Sequence, residues 1–408
     1  MPPHGEGLVL YAACTPGLEE ALAGELRDLG ASDVNLARGG ARFRGDERLL
    51  AASLLRLRSA VKVSRLLAAG GVRDARDLGE LSASVDWRRS LRPGQTIACE
   101  AAVRDSCFNH SGYAALVVKD GLVDRLRRDL GARPDVDVER PDLTVRAVIK
   151  GDYAELWRDE CGASLHKRGY RSTLVRSPLN EATAAGMLLL AGYDGTVPLA
   201  DPLCGSGTFV IEAALLARRR APGLVGREYA YERRPDFSPS AFEDARRAAI
   251  AAELPAAPVK LEGSDRHPGA TALARRDAIA AGVGDDCEFV RADAAERTPA
   301  NGARIVFANP PWGLRLEEEG DPGASWRALG DYLRRLPGAT AYVLCGNPEL
   351  PRRIGMKSSR RFPVRAGQLD CRLLRYEVRP EGARTRADEA PERADEQESS
   401  PPGDGASR

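Results

Sequence analysis

The sequence predicts a doubly wound, parallel α/β domain preceded by an α+β region. Three observations lead there. From Glu181 onward, short apolar runs alternate with helical stretches. Residues suited to chemistry fall where those runs end, as they do at the carboxyl edge of a doubly wound sheet. The first ~155 residues mix strand and helix patterns without that rhythm, which reads as α+β.

In chain order, Thr15 to Leu29 forms an amphipathic helix, with Leu18, Leu22, Leu26 and Leu29 on one face. Thr15 is expected to cap it, with Pro16 at its first position and Gly30 at its end. A short strand follows at Ala41 to Arg44, then a helix over Glu47 to Leu67. Asp77 to Arg88 has mixed character, Gln95 to Val103 alternates like a strand, and Tyr113 to Leu130 is amphipathic again. Leu143 to Ile149 and Tyr153 to Trp157 read as strands joined by a Lys-Gly-Asp turn. In the second half, helix Glu181 to Leu190 leads to strand Val197 to Ala200, a glycine-rich loop and helix Phe209 to Arg219. Strand Val259 to Gly263, helix Ala270 to Ala281, strand Cys287 to Val290 and strand Arg304 to Ala308 continue the alternation. Helix Ser325 to Leu336, strand Thr340 to Cys345 and a last strand Cys371 to Val378 complete it. From Pro380 on, no large apolar residue occurs and the tail reads as disordered.

Composition excludes several classes. With 408 residues, 43% of them apolar, the chain can bury large cores. No apolar run approaches the ~18 residues of a membrane span, and the start lacks the basic region of a signal peptide. Eight cysteines without a CxxC, and four scattered histidines, offer neither a disulfide framework nor a metal site. A reducing cytoplasm is the expected location. Net charge is +1, but the tail from Arg379 carries eight acidic and five basic residues, net −3, so the body carries +4. Three basic clusters stand out: Lys167, Arg168, Arg171 and Arg176; Arg218 to Arg220; and Lys357, Arg360, Arg361 and Arg365. Each alone is ordinary surface, whereas convergence on one face would suit a polyanion.

Two stretches carry the chemistry. Asp201-Pro202-Leu203-Cys204-Gly205-Ser206-Gly207-Thr208 sits between strand and helix, where glycines let backbone approach a ligand and helix amides offer a weakly positive end. Taken alone it fits any tight strand–helix turn, and the third glycine of the dinucleotide fingerprint is missing. The next strands end at Ser264-Asp265 and at Asp293-Ala294. As lone residues, Asp265 would serve as a helix cap and Asp293 as a turn residue. Then comes Asn309-Pro310-Pro311-Trp312. Two prolines cannot donate hydrogen bonds and hold the chain extended, so carbonyl oxygens are expected to face outward beside an amide and a flat ring. That set suits a planar amino group.

Jointly, a glycine loop after the first strand, acids after the second and third, and NPPW after the fourth resemble the class I S-adenosylmethionine-dependent methyltransferases. The likeness is to the branch whose fourth motif is (N/D/S)PP(Y/F/W) and whose targets are planar amines. In the amino-terminal half, CTPGLEEALAGEL, GGARFRGD, FNHSGYAALVVKDGLVDRLR, RPDVDVERPDLTVRAVI and SLHKRGYR resemble bacterial THUMP-domain RNA methyltransferases, above all the amino-terminal unit of the 23S rRNA guanine-N2 methyltransferases. DPLCGSGTFVIEAALLARRRAPG, GSDRHPGAT, FANPPWGLRL and AGQLDC are similar to the same family.

The resemblance implies a Rossmann-like methyltransferase domain over 181–378, a ferredoxin-like segment over 1–60, a THUMP domain over 61–158, a basic linker over 159–180 and a tail over 379–408. It implies S-adenosylmethionine over Asp201, Pro202, Cys204, Gly205, Ser206, Gly207 and Thr208. Ser264 and Asp265 would meet its ribose, and Asp293 and Ala294 its adenine. Asn309 and Pro310 would accept the two hydrogens of a guanine amine, with Pro311 holding the loop and Trp312, a tyrosine in most of the family, stacking on the base. Lys167, Arg168, Tyr170 and Arg171 are expected to contact structured RNA, unless Arg168 and Tyr170 pin the linker instead. No metal is expected. A tRNA guanine-N2 methyltransferase and an RNA-binding assembly factor with an idle site are the alternatives; a DNA adenine enzyme would need another domain in place of the THUMP-like half.

Overall fold

Among the described residues the strands form two seven-stranded sheets. The computed structural model describes residues 7–131, 133–171, 179–313 and 321–379. The expectations for Arg176 and for the tail after Arg379 fall outside them. Among the described residues no helix is long and apolar enough to cross a membrane.

The first sheet uses β1 (Leu8–Cys14), α1 (Glu19–Asp28), β2 (Ser32–Ala37), β3 (Gly40–Gly45), α2 (Glu47–Arg56), β4 (Ala60–Gly71), α3 (Ala75–Ser84), β5 (Ile97–Arg104), α4 (Ser111–Leu130), β6 (Leu143–Lys150) and β7 (Tyr153–Asp159). Its order is β2-β3-β1-β4-β7-β6-β5. The helix expected over Glu47 to Leu67 ends at Arg56 and gives way to β4. Glu25 explains the break: its carboxylate accepts the amides of Arg58 (2.7 Å) and Ser59 (2.9 Å), groups that a continuing helix would have kept. β4 then pairs with β1 over Ala60 to Arg65 and with β7 over Ser64 to Gly71. One strand therefore runs through both parts of the amino-terminal region. Thr15 does not cap α1, which starts at Glu19; its hydroxyl lies 2.7 Å from that of Thr183.

The second sheet uses α5 (Glu181–Leu190), β8 (Leu199–Asp201), α6 (Thr208–Ala217), α7 (Pro239–Ala251), β9 (Leu261–Asp265), α8 (Pro268–Ala280), β10 (Cys287–Arg291), β11 (Ile305–Ala308), α9 (Pro322–Arg334), β12 (Thr340–Cys345), β13 (Arg360–Ala366) and β14 (Leu369–Glu377). The order β10-β9-β8-β11-β12-β14-β13 is parallel from β10 to β12. β14 runs antiparallel to both β12 and β13, so the sheet is mixed rather than purely parallel. Strand order reverses between β8 and β11, and a ligand crevice opens at such a switch point. α6 is buried along its whole length, which fits its nearly unbroken apolar sequence. Phe209 packs on Phe307 of the sheet, centroids 5.0 Å apart, while α5 lies beside the helix. Glu212 is its one charged residue.

A buried ionic knot joins the two halves. Arg158 on β7 pairs with Glu160 at 2.8 Å and with Asp236 at 3.0 Å. Arg234 pairs with the other oxygen of Glu160 and donates to the Asp159 carbonyl. Arg158, Glu160 and Arg234 are all at most 1% exposed. Isolated, any of these charges would be costly to bury; together they neutralise and orient one another.

Candidate active site

The crevice is built from the carboxyl ends of five strands. β8 ends at Asp201, whose buried carboxylate accepts the Leu203 amide at 3.0 Å. Burial pushes its pKa up to about 8, with the Leu203 bond opposing and the nearby Asp265 charge adding to the shift. The loop that follows is tied to β9: Cys204 N donates to the Ser264 carbonyl at 2.9 Å, and Gly205 N to Asp265 Oδ2 at 3.0 Å. Gly205 and Gly207 both take left-handed backbone (φ +52° and +79°). A Cβ at Gly207 would stand 2.9 Å from Ala274 Cβ and Phe289 Cε1, so only glycine fits between loop and helix. At Gly205 nothing lies within 4 Å of such a Cβ, so that side of the loop is open.

Asp265 is half-buried and does not cap α8, whose N-cap is His267. Its Oδ1 accepts the His267 amide at 2.9 Å, while Oδ2 holds Gly205. Each oxygen keeps one acceptor site, which suits a vicinal diol. Asp293 is exposed and turns the chain after β10, accepting the Ala295 amide at 2.8 Å. Ala294 is buried, with its carbonyl taken by Arg335 at 2.6 Å. Pro202, Cys204 and Thr208 are buried, and Ser206 is half-buried on the same loop.

β11 lies beside β8, with Val306 opposite Ala200, so Asn309 emerges just beyond the level of Asp201. The loop after it is clamped from outside. Trp326 Nε1 donates to the Pro311 carbonyl at 2.9 Å, Trp312 Nε1 to the Leu344 carbonyl at 3.1 Å, and Asn347 Nδ2 to the Trp312 carbonyl at 3.1 Å. The Pro311 carbonyl is therefore not presented outward, contrary to the sequence expectation. No hydrogen bond among the described residues occupies the Asn309 amide or the Pro310 carbonyl. Trp312 is half-buried against Gly346, where a Cβ would come 2.5 Å from Cε3 of the indole. Gly346 and Asn347 thus position the ring, a role that nothing in their sequence pattern signalled.

The linker departs most from expectation. Arg168 and Tyr170 are each only 2% exposed and close around Glu212 of α6. Tyr170 donates to Glu212 Oε1 at 3.1 Å, and Arg168 Nε lies 3.5 Å from the same oxygen. Arg168 also donates to the Leu165 and Arg58 carbonyls. Arg171 pairs with Glu181 at 2.7 Å and donates to Thr208 Oγ1 at 3.0 Å. In this arrangement the Arg168 guanidinium and the Tyr170 phenol are buried and complete the partners of Glu212, while Arg171 is half-buried and engaged by Glu181 and Thr208. Lys167 alone is exposed. Of the Arg218–Arg220 cluster, Arg218 is taken by Glu253 and Asp286 at 3.3 Å each and Arg220 by Glu253 at 2.8 Å, while Arg219 is exposed. Glu212, a lone carboxylate in an apolar helix, was the legible sign that buried cations would be needed.

Residues 168–375 match the family described as RMKL-like, methyltransferase domain. Residues 9–64 match the RlmL ferredoxin-like domain and 72–158 the THUMP domain. The chain is 35% identical over 369 residues to a Synechocystis protein described as a candidate RNA methyltransferase, covering 90% of this chain and 96% of that one. It is 37% identical over 384 residues to the ribosomal RNA large subunit methyltransferase K/L of Syntrophotalea carbinolica, covering 90% of this chain and 53% of that one. It thus spans about half the length of the K/L relatives it matches. Its fold superposes with TM-score 0.82 on a methyltransferase crystallised with S-adenosylhomocysteine, 24% identical, over 92% of this chain and 100% of that one.

Proposed function

The chain belongs to the RMKL-like methyltransferase family, and from that membership we propose that it methylates the exocyclic N2 amine of a guanosine in 23S ribosomal RNA, with S-adenosylmethionine as donor. One arrangement carries this reading: Asn309-Pro310-Pro311-Trp312 is clamped at the same sheet edge where Asp265 holds the Gly205 loop. The residues fit the donor. Gly205 leaves open space, Asp265 offers two acceptor sites to a ribose, and Asp201 is a buried acid suited to the methionine ammonium. The sulfonium supplies an electrophilic methyl group when bound.

The remaining work falls to the chain. The Asn309 side-chain oxygen and the Pro310 carbonyl accept the two amine hydrogens, which keeps the nitrogen lone pair out of the ring and aims it at the methyl group; as the N–CH3 bond forms and the S–CH3 bond breaks, one of those hydrogens leaves as a proton to water. Trp312 stacks on the extruded base and offsets part of the few kcal/mol that extrusion costs. Rate enhancement comes mainly from holding two reactants in line. The name of the K/L relative supports ribosomal RNA as the polymer, and the THUMP match supports structured RNA. The cytoplasm, where ribosomes are made, is the proposed compartment.

The test is methyl transfer to unmodified 23S rRNA and tRNA transcripts, followed by nucleoside mass spectrometry. N2-methylguanosine in the 23S transcript alone is expected. N6-methyladenosine as product, or N2-methylguanosine in tRNA alone, overturns the assignment.

A further inference from the structure

We propose that a cleft between the amino-terminal loop and the β13–β14 hairpin holds backbone phosphates of the RNA strand next to the methylated nucleotide, gripped by Arg38, Arg361 and Arg372. This rests on the methyl-transfer reading above. The cleft encloses about 540 Å³, within the ~300–1,000 Å³ typical of ligand pockets. It is made by both halves of the molecule. Pro16 and Gly17 line one side, the hairpin lines the other, and Arg365 N donates to the Pro16 carbonyl at 3.0 Å where they meet. Cys345 and Gly346, at the end of β12, form its inner wall. Gly346 is also the residue against which Trp312 packs, so the cleft adjoins the place where the base is expected to stack.

Its charge balance points to an anion. Four arginines, Arg38, Arg361, Arg365 and Arg372, line it against two carboxylates, Glu19 and Asp370, and Glu19 is held back on the loop by accepting the Gly17 amide at 2.8 Å and the Gly39 amide at 2.7 Å. Asp370 pairs with Arg365 at 3.4 Å. Arg38, Arg361 and Arg372 are exposed and have no carboxylate partner among the described residues. Arg361 is oriented by its Nε donating to Ser358 Oγ at 3.2 Å. Guanidinium groups match phosphate oxygens with two parallel hydrogen bonds. A nucleotide turned out of its stack must be held by its flanking phosphates, because backbone contacts set register while base contacts set identity. Of the cluster Lys357, Arg360, Arg361 and Arg365, Arg361 lines the cleft without a carboxylate partner among the described residues, and Arg38 and Arg372 join it there from other stretches of the chain.

The experiment compares the full chain with its Arg361→Gln/Arg372→Gln variant, and with an Arg246→Gln/Arg247→Gln variant that loses the same charge on the outer face of α7. Binding to an unmodified 23S rRNA transcript is measured across a salt series, alongside S-adenosylmethionine binding by calorimetry. The cleft variant should bind RNA about tenfold or more weakly, and its salt slope should shrink by about 0.7 per arginine, while cofactor affinity stays unchanged. The α7 variant should match the wild type. If the wild type binds and methylates the transcript and the cleft variant equals it, or both variants weaken alike, the cleft assignment falls and the function stands. A wild type that binds no RNA but methylates protein overturns both.

Discussion

Tyr170 and Glu212 share a hydrogen bond of 3.1 Å inside the protein, with both side chains shut off from water. The bond fixes a segment that its charge had marked as an RNA contact. Tyr170→Phe should therefore lower stability by about 1–2 kcal/mol, and Arg168→Ala by about 3 kcal/mol or more, because the latter strands Glu212 without its cation. Urea denaturation reads both. The salt slope of RNA binding should not change in Tyr170→Phe; a reduced slope would return the residue to the RNA surface.

Asn309→Ala should lower kcat by about 10²–10³-fold, the usual effect of deleting one acceptor or donor that acts in the transition state. Cofactor affinity, read by calorimetry, should hold. Turnover within a few-fold of wild type would exclude the amine-clamp role.

At Trp312 the ring and its N–H do separate jobs. Trp312→Phe keeps a stacking face but loses the bond to the Leu344 carbonyl, and should retain activity within about tenfold. Trp312→Ala loses both and should lower kcat/KM by about 10–100-fold, in line with ~1–3 kcal/mol for stacking one base. Equal losses in the two variants would argue that the ring anchors the loop and does not stack.

Asp201 gives a pH signature. Its carboxyl, raised to about 8 by burial, is mostly protonated at neutral pH, whereas a cofactor ammonium needs the carboxylate. Affinity for S-adenosylmethionine should climb from pH 6 toward 7.5 and level off as the α-amino group itself titrates near ~8. Stability of the free protein runs the other way. A carboxyl whose folded pKa is raised binds more protons folded than unfolded, so its contribution declines as pH rises from about 4 to 8. Asp201→Asn should flatten the binding profile, measured by calorimetry at fixed ionic strength.

Much of this was written locally. α4 and α5 follow from spacing or continuity of apolar residues, and the NPPW loop from its prolines. β4 was not legible, because its leucines and alanines continue the pattern of α2, and only Glu25, distant in sequence, stops the helix. β13 was hidden by its arginines and Pro363, which are tolerated there because it is an edge strand. The linker cations looked like surface because charge type does not reveal burial; their partner Glu212 lies 42 residues on from Tyr170. Pairings that skip across the chain are invisible to periodicity.

The knot of Arg158, Glu160, Arg234 and Asp236 has a practical consequence at the bench. Salt screens charges that ions can approach and scarcely touches those sealed from solvent. A wash in molar salt should strip nucleic acid from the outside of this protein while leaving its two halves locked together, so RNA-free material can be prepared without loosening the enzyme.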